Sequence, residues 1–426
     1  MRQNLLETYS RQLKVAEAYV AKNFDGKTIS SNTALTTAVL LDNTNRWMTE
    51  SMVAGGSRAD LGEWKKFCLN LTNIAVPSLI ANDLVIVHPM TSYSGSVAYL
   101  RYEATTEKNG MKGKVLNSVF GLGEMDDNRV AYTSQILIEN YEDGGKLSFD
   151  AVEGGLTNVE GNNVVRYTYK IDGEYTNELK AGKVAYATKE FQMAYTPATK
   201  IPSIGPKMER IALVAEPRRI AVKYDQITAF QAKTDYGFSL DKQIAEQACG
   251  ELAYEIDTEI VDMLYEGALS HEDALTWSKA LPHGVSKFEH YNGFLEVIEE
   301  AKAIIYKRTQ KFHPNYMVVA ADVLPILKFV NGFTAAKVAK MNGPYKVGEI
   351  DGMNVYVSPR LKGRSFFFGL NGSDMMSSAG VYAPYMAIVP TQLLGTPDGA
   401  LQQGFSTWYA KSLLNDLLLV SGKIVA

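Results

Sequence analysis

The chain has 426 residues, of which 46% are hydrophobic and 21% charged, so it can form two or three soluble domains around a sizeable buried core. A formal net charge of −4 and the absence of a long Lys/Arg run argue against a protein that mainly grips nucleic acid through its phosphates. Two cysteines, Cys68 and Cys249, are too few for a disulfide framework or a zinc cage, and they fit a reduced, cytoplasmic place of folding.

The N-terminal part combines a helical pattern with a polar segment. Apolar residues at helical spacing predict a helix over Gln3–Lys22. The apolar positions of this helix are Leu6, Leu13, Ala16 and Val20. Thr28–Asn45 is rich in Thr, Ser and Asn and has few residues to bury, so we expect it to run over other surfaces as an extended arm.

Strand patterns follow. Leu84–Val87 is a continuous apolar run and Val97–Tyr102 is rich in β-formers, so both are predicted strands. Between 113 and 200, short segments such as Val165–Ile171 alternate apolar and polar residues, and turn signals recur every ~8–12 residues. We therefore predict a small antiparallel β domain inserted at about 113–200.

The longest predicted helix extends from Ser239 to Glu266, with apolar residues at intervals of three and four. Gly250 lies inside it and lowers its intrinsic stability by about 1 kcal/mol relative to Ala. One face is acidic, which is typical of a solvated face; the alternative is a face that repels DNA or docks a basic protein. The acidic residues are Glu246, Glu251, Glu255, Asp257, Glu259, Asp262 and Glu266.

Helices and strands are mixed in the remaining segments. Further strands are predicted at Leu213–Tyr224, Tyr316–Ala320, Met353–Val357, Ser365–Phe368, Tyr385–Val389 and within Phe405–Val420. Helices are predicted at about 289–308 and over Val323–Val330. This order of elements predicts an α+β protein.

Several short segments stand out by their order along the chain. They are Asp83–Met90 (DLVIVHPM), Val97–Tyr102 (VAYLRY), Arg218-Arg219, Val347–Pro359 (VGEIDGMNVYVSP) and Gly380–Tyr385 (GVYAPY). In this order they resemble the major capsid proteins of contractile-tailed phages, and the T-even-type branch is the nearest match. Each motif is short, so the shared order makes the resemblance specific. It covers most of the chain outside the N-terminal arm and the β insertion.

The resemblance implies an α+β fold of the Hong Kong 97 (HK97) capsid type. Residues 1–88 would form an N-terminal arm. Residues 89–238 would form peripheral-domain strands and an E-loop that carries the inserted β domain at about 113–200. Residues 239–271 would be the spine helix of the peripheral domain. Residues 272–426 would form the axial domain and returning peripheral-domain strands.

The function that this resemblance implies is structural. Copies of the chain would assemble into pentamers and hexamers of an icosahedral or prolate phage head, which encloses DNA without sequence-specific binding. Portal and scaffold proteins would be partners, with a decoration protein as a further one. Made in the host cytoplasm, the protein would reside in the virion. The residues expected to contact neighbouring subunits are Leu6, Leu13, Val20, Arg218, Arg219, Tyr382, Pro384 and Tyr385.

Other classes of protein fit the sequence less well. An encapsulin-type compartment would share the fold, but such chains are shorter and lack an insertion of this kind. A β-rich surface adhesin conflicts with the predicted long helices. A hydrolase would need a nucleophile, a base and an orienting group, and no such set is visible. His271-Glu272 lacks the second histidine of a metalloprotease motif, and no apolar stretch is long enough for a membrane span. We expect no catalytic residues, metal, cofactor or membrane partner.

Overall fold

The structure is a computed structural model that describes most of the chain outside the predicted insertion. The described residues are 2–23, 29–52, 79–105, 203–235, 240–271, 273–309, 311–336, 343–391 and 400–425, with short pieces at 69, 72–73, 76–77, 113, 139–141, 147–149, 237 and 394–395. They fall into two compact units. The first comprises Met1–Val97, Arg210–Lys307 and Lys311–Ala426, and the second comprises Ala98–Glu209 with Arg308–Gln310.

The N-terminal segments of the first unit are helical. They form α1 (Arg2–Thr8), α2 (Ser10–Asn23) and α3 (Ser31–Met52). Helices α1 and α2 confirm the helix predicted at the N-terminus. The extended arm predicted over Thr28–Asn45 is wrong, because the chain is helical from Ser31 onward.

The composition of α3 explains this correction. Two of its buried hydroxyl groups find partners inside the helix: Thr36 Oγ1 donates to the backbone oxygen of Asn32 at 2.8 Å, and Thr37 Oγ1 donates to that of Thr33 at 2.8 Å. Its apolar residues lie at helical spacing, so Ala38 and Leu41 are buried together against Tyr9 of the N-terminal segment. A segment rich in threonine therefore forms a helix once a neighbouring helix covers one face.

The first predicted strand is shorter than expected. Residues Ala81–Leu84 form a short helix, α4, and only Ile86–Val87 form strand β1. The prediction of a strand over Leu84–Val87 is therefore wrong for Leu84, which ends the helix, and for Val85, which follows it as the C-cap. Strand β1 pairs in parallel with the strand that contains Val381 and Tyr382.

Two long strands flank the predicted insertion. Strand β2 (Ser94–Ala104) pairs with β5 (Ile204–Val214) in a two-stranded sheet. Between them, β3 (Glu139–Tyr141) pairs antiparallel with β4 (Leu147–Phe149). Apart from these strands and Gly113, the predicted β domain at 113–200 lies outside the described residues.

Strand β1 belongs to a sheet of long strands in the first unit. Its other strands are β6 (Glu216–Asp225), β13 (Gly380–Pro390), β14 (Leu394–Gly395) and β15 (Ala400–Leu413). The order is β1-β13-β15-β14, and β6 also pairs with β15. Strands β5, β6 and β13 confirm the strands predicted at Leu213–Tyr224 and Tyr385–Val389.

A single helix of 30 residues, α6 (Leu240–Leu269), follows the shorter helix α5 (Gln226–Asp235). Helix α6 confirms the predicted long helix and continues through Gly250. Its buried face contains Leu252, which packs with residues of the first sheet, and Ile260 and Leu264 of the main core. Burial of such side chains contributes about 1.5–3 kcal/mol each, which offsets the cost of the glycine.

A second sheet of seven strands has its elements C-terminal to α6 in the sequence. Its strands are β7 (Leu275–Ser278), β8 (Tyr316–Ala320), β9 (Thr334–Ala335), β10 (Tyr345–Ile350), β11 (Met353–Ser358), β12 (Ser365–Gly369) and β16 (Val420–Val425), in the order β7-β16-β12-β8-β11-β10-β9. Helices α7 (Lys287–Asn292), α8 (Phe294–Thr309) and α9 (Leu324–Leu327) accompany it. Phe366, Phe367 and Phe368 of its central strand β12 are fully buried.

These elements confirm the predicted α+β class. The features expected of an HK97-like fold have counterparts: the long β2–β5 hairpin for the E-loop, α6 for the spine helix, and the seven-stranded sheet for the axial domain. No helix in the described ranges is both long and apolar enough to cross a membrane.

Candidate assembly site

A charged cluster joins the long helix α6 to the sheet of long strands. Glu259 of α6 accepts two nearly parallel hydrogen bonds from Arg218 of β6, at 2.9 Å from Nε and 3.1 Å from Nη2. The hydroxyl of Tyr409 donates to Oε2 of Glu259 at 2.9 Å, and Nζ of Lys411 lies 3.0 Å from the same oxygen. Two strands, β6 and β15, are thus tied to one carboxylate.

The partners of Glu259 keep it ionised. Burial alone would raise the pKa of Glu259, but hydrogen bonds from Arg218, Lys411 and Tyr409 lower it to about 2. The hydrogen bond to Glu259 raises the pKa of Arg218, and burial raises the pKa of Tyr409. A bidentate guanidinium–carboxylate pair also fixes geometry, so the cluster sets the position of the helix on the sheet.

The two adjacent arginines have different roles. Arg218 pairs with Glu259 in the same chain, and its contact with a neighbouring subunit stays a prediction. Arg219 is exposed, and its guanidinium carbon lies 5.7 Å from the ring centroid of Trp408. Because side chains alternate along a strand, the two arginines lie on opposite faces of β6. Arg219 stays a predicted contact residue.

Asp257, two residues earlier on α6, is buried and holds the start of α4. Its Oδ1 accepts from the backbone N–H of Ala81 at 3.0 Å, and the backbone N–H of Ile80 also donates to this carboxylate. Burial raises the pKa of Asp257 to about 7, although these two hydrogen bonds act in the opposite direction. The prediction of a uniformly solvated acidic face is therefore wrong for Asp257 and Glu259.

Other polar side chains fasten the chain around β1. Nδ2 of Asn371 donates to the backbone oxygen of Asp83 at 2.9 Å. Oγ of Ser378 accepts from the backbone N–H of Ile86 at 3.2 Å. Nδ2 of Asn43 in α3 donates to the backbone oxygen of Met90 at 2.8 Å. We call residues 79–90 the junction segment, because α3, α6 and the loop before β13 all bind it.

Three predicted contact residues lie in β13. Tyr382 is 3% exposed and packs its ring against Tyr409 at 5.5 Å, and Pro384 is also buried. Both side chains thus pack inside their own chain, and their contact with a neighbouring subunit stays a prediction. Tyr385 is half-buried and remains a predicted contact residue.

The N-terminal contact residues also pack within their own chain. Leu6 and Leu13 are half-buried against the cluster of Tyr9, Ala38 and Leu41. Val20 is 2% exposed within its own chain. Contact with a neighbouring subunit stays a prediction for Leu6, Leu13 and Val20. These contacts within the chain could not be predicted, because the segment that forms α3 was expected to be extended.

An apolar surface that the sequence did not indicate lies on the parts of the β2–β5 hairpin that belong to the second unit. Tyr102 is 44% exposed, Ile204 52% and Met208 58%. The hairpin itself is held by an ion pair between Lys207 and Glu103 at 2.9 Å. Ile204 and Met208 are four residues apart, an even spacing that places them on one face of β5. The even spacing of these two apolar residues in a strand is the sequence signal that could have indicated this surface.

The described residues were also compared with the requirements of a metal site and of a reactive cysteine. No group of three or more His, Cys, Asp or Glu that could hold a metal ion is present among the described residues. Cys249 is a free, buried cysteine, and burial raises the pKa of its thiol to about 12. A thiol of this kind is protonated and unreactive near neutral pH.

Known proteins similar to this chain are phage capsid proteins. Residues 61–423 match the sequence profile of the family described as "Major capsid protein Gp23". The major capsid protein of Escherichia phage AR1 is 22% identical over 80% of this chain and 73% of its own length. The major capsid protein of Enterobacteria phage T4 is 21% identical with the same coverage.

The chain is also similar to a phage capsid protein of known structure. The capsid of Myoviridae phage XM1 is 10% identical, covers 80% of this chain and 90% of its own, and superposes with a TM-score of 0.38. The profile match extends over most of the chain, from residue 61 almost to the C-terminus. The chain belongs to the Gp23 family of major capsid proteins, which form the phage head.

Proposed function

We propose that copies of this chain form pentamers and hexamers that close into an icosahedral or prolate shell, with the β2–β5 hairpin as a principal contact between subunits. The observation that carries this proposal is the exposed apolar surface of Tyr102, Ile204 and Met208 on a two-stranded ribbon. A two-stranded ribbon is marginally stable by itself in water. Burial of its apolar face on a neighbour would stabilise both the ribbon and the shell.

The hairpin has a defined register that a neighbouring subunit could recognise. The backbone N–H of Thr105 donates to the backbone oxygen of Ser203 at 3.0 Å, and Lys207 pairs with Glu103 at 2.9 Å. Within the described residues, no third strand pairs with β2 or β5.

The remaining partners follow from the family and the charge of the chain. The net charge of −4 favours a shell that encloses DNA without sequence-specific binding. Portal and scaffold proteins are proposed partners, with a decoration protein as a further one, and the insertion at 113–200 is proposed to lie on the outer surface of the shell. We propose no catalytic activity, because a shell subunit acts by assembly alone.

The test is an assembly assay on hairpin variants of the full-length chain. In Met208→Asp, a charge would have to be buried in the contact, and the yield of closed shells should fall at least about tenfold. Negative-stain microscopy and sedimentation would measure the shells, and circular dichroism would establish that the subunits are folded.

Met208→Leu is the matched control because it keeps an apolar side chain of similar volume. It should assemble in wild-type yield. Ile204→Asp should repeat the loss, since Ile204 lies on the same face of β5. Wild-type shell yields from both Asp variants would show that the hairpin face is not a subunit contact.

A further inference from the structure

The junction segment depends on one buried acid. Asp257 is 7% exposed, and its carboxylate receives backbone N–H groups of Ile80 and Ala81 at the first turn of α4. Helix α4 leads directly into β1, which adds a parallel strand to β13. In the described parts of the chain, no cationic side chain lies within 4.0 Å of Asp257. Among the described residues, the carboxylate therefore has backbone N–H groups around it and no counter-ion.

We propose that Asp257 is a proton-dependent latch: with a proton bound it holds the junction segment on helix α6, and loss of that proton loosens the segment. A buried carboxyl without a counter-ion is more stable in its neutral form, because ionisation would place an uncompensated charge in the interior. A neutral carboxyl still accepts a hydrogen bond from Ala81. An ionised carboxylate gains water only when the junction segment moves away.

In the part of the chain that the structure describes, the titratable groups that surround Asp257 provide no positive charge to stabilise its ionised form. Asp83 of α4 adds a negative charge that raises the pKa of Asp257 further. Tyr382 of β13 is buried, and the charge of Asp257 contributes to its raised pKa, so it stays neutral. Tyr356 of β11 hydrogen-bonds Asp83, and burial raises its pKa too. His88 is the histidine of the junction segment, so it requires its own control.

The direction of the pH effect follows from linkage. The pKa of Asp257 is about 7 in the folded chain, above the ~3.9 of an unfolded aspartate. A group whose pKa is raised on folding contributes stability that is complete below the unfolded value and is lost as pH rises through the folded value. The junction segment should therefore be held most firmly in mild acid, and its hold should reach its minimum somewhat above pH 7.

The structure also limits what loosening would release. Asn43 of α3 binds the backbone oxygen of Met90 at the end of the junction segment. Opening would therefore change both the edge strand β1 and the attachment of the N-terminal helices. For a subunit that has to occupy different positions in a shell, such a latch would couple the conformation of this region to pH.

Hydrogen exchange of the full-length chain, followed by mass spectrometry, tests the latch. Protection factors of peptides from the junction segment would be compared after correction for the pH dependence of intrinsic exchange. The opening constant should rise roughly tenfold between about pH 5 and pH 6 and only about twofold between about pH 7 and pH 8. Asp257→Asn, which keeps the hydrogen-bond acceptor but cannot titrate, should lose this rise.

Matched variants separate Asp257 from its neighbours. Asp262→Asn on the same helix and His88→Gln in the junction segment should keep the rise. Asp83→Asn should move the rise to lower pH, because it removes the charge that opposes ionisation of Asp257. This variant also decides the question if Asp257→Asn fails to fold. A flat wild-type profile, an unchanged profile in Asp257→Asn, or an unshifted profile in Asp83→Asn would overturn the proposal.

Discussion

Asn43 and Tyr385 are joined by a hydrogen bond across most of the chain: Nδ2 of Asn43 donates to the backbone oxygen of Tyr385 at 2.8 Å. The same nitrogen donates its second hydrogen to the backbone oxygen of Met90 at 2.8 Å. Asn43 is 6% exposed, so water cannot replace these bonds if the amide is removed. One amide of α3 thus binds both β13 and the end of the junction segment.

Replacement of this amide should be costly. Asn43→Ala would leave one buried and one partly buried carbonyl oxygen without this donor, and we expect a loss of about 2–3 kcal/mol in the free energy of unfolding. Urea titration of the full-length chain measures it. Asn32→Ala, at the exposed start of the same helix, should stay within about 0.5 kcal/mol of wild type. Equal effects of the two variants would contradict the anchoring role of Asn43.

Glu259 should stabilise the fold in a pH-dependent way. Its pKa is about 2 in the folded chain, below the ~4.3 of an unfolded glutamate. A group whose pKa is lowered on folding contributes stability above the unfolded value and loses it as pH falls through the folded value. Glu259→Gln should therefore lower the free energy of unfolding by about 1–2 kcal/mol at neutral pH, after allowance for partial exposure.

The difference between Glu259→Gln and wild type should shrink as the pH falls from about 4.5 toward 2, because Glu259 of the unfolded wild-type chain binds a proton in this range while Glu259 of the folded chain is still ionised. Denaturant titrations at neutral pH and near pH 3 would measure this change. Glu251→Gln is the matched control, since Glu251 is exposed on the same helix. A difference that is independent of pH would mean that Glu259 acts through packing rather than charge.

The carboxylates of Asp257 and Glu259 show which contacts could not be predicted from the sequence. The long helix could be predicted because its apolar spacing is a local property of the segment. The partners of Asp257 and Glu259 could not, since Ala81, Arg218 and Lys411 are far away in the sequence. An acidic residue that caps another helix and one that faces water look the same in a periodic pattern.

In the N-terminal region, the sequence led to a wrong prediction of secondary structure. Thr28–Asn45 looked too polar to fold, because its hydroxyl groups suggested exposure to water. Helix α3 satisfies Thr36 within its own backbone, and the neighbouring helices cover Ala38 and Leu41. Composition alone cannot indicate this, because the covering surface comes from elsewhere in the chain. Tertiary context thus decided both this element and the fate of Leu84.

The central strands of the seven-stranded sheet depend on glycine at one position. Gly422 of β16 lies opposite Phe366 of β12, and a side chain at Gly422 would overlap the ring of Phe366. That ring cannot move easily, because it is fully buried and packs edge-on against Phe294 at 5.3 Å. Gly422→Ala should therefore lower the free energy of unfolding by about 1–3 kcal/mol through overpacking.

Thermal or urea unfolding of Gly422→Ala would measure this loss. Gly395→Ala is the control: Gly395 is also in a strand, is exposed, and has no atom within 4 Å of an added methyl group. It should stay within about 0.5 kcal/mol of wild type. If both variants lose the same stability, backbone entropy rather than the Phe366 contact is responsible.

The N-terminal helices should be separable from the rest of the fold. Deletion of residues 1–23 exposes Leu41 and Ala38 of α3 to water. The free energy of unfolding should therefore fall by about 1.5–3 kcal/mol, the contribution of a buried leucine side chain. The main core contains no residue from this segment, and it should still unfold cooperatively. Circular dichroism and urea titration would measure both effects. Val15→Ser, at a position that is 51% exposed, is the control and should leave stability unchanged.

Assembly of the deleted chain gives the second result. If the exposed parts of Leu6 and Leu13 contact a neighbouring subunit, the deletion should reduce the yield or the stability of shells even when the subunits fold. Negative-stain microscopy with sedimentation would detect this. Wild-type shells from the deleted chain would remove both residues from the set of contacts. A chain that failed to fold would instead place the N-terminal helices in the core, because loss of Leu41 burial alone is too small to unfold the sheets.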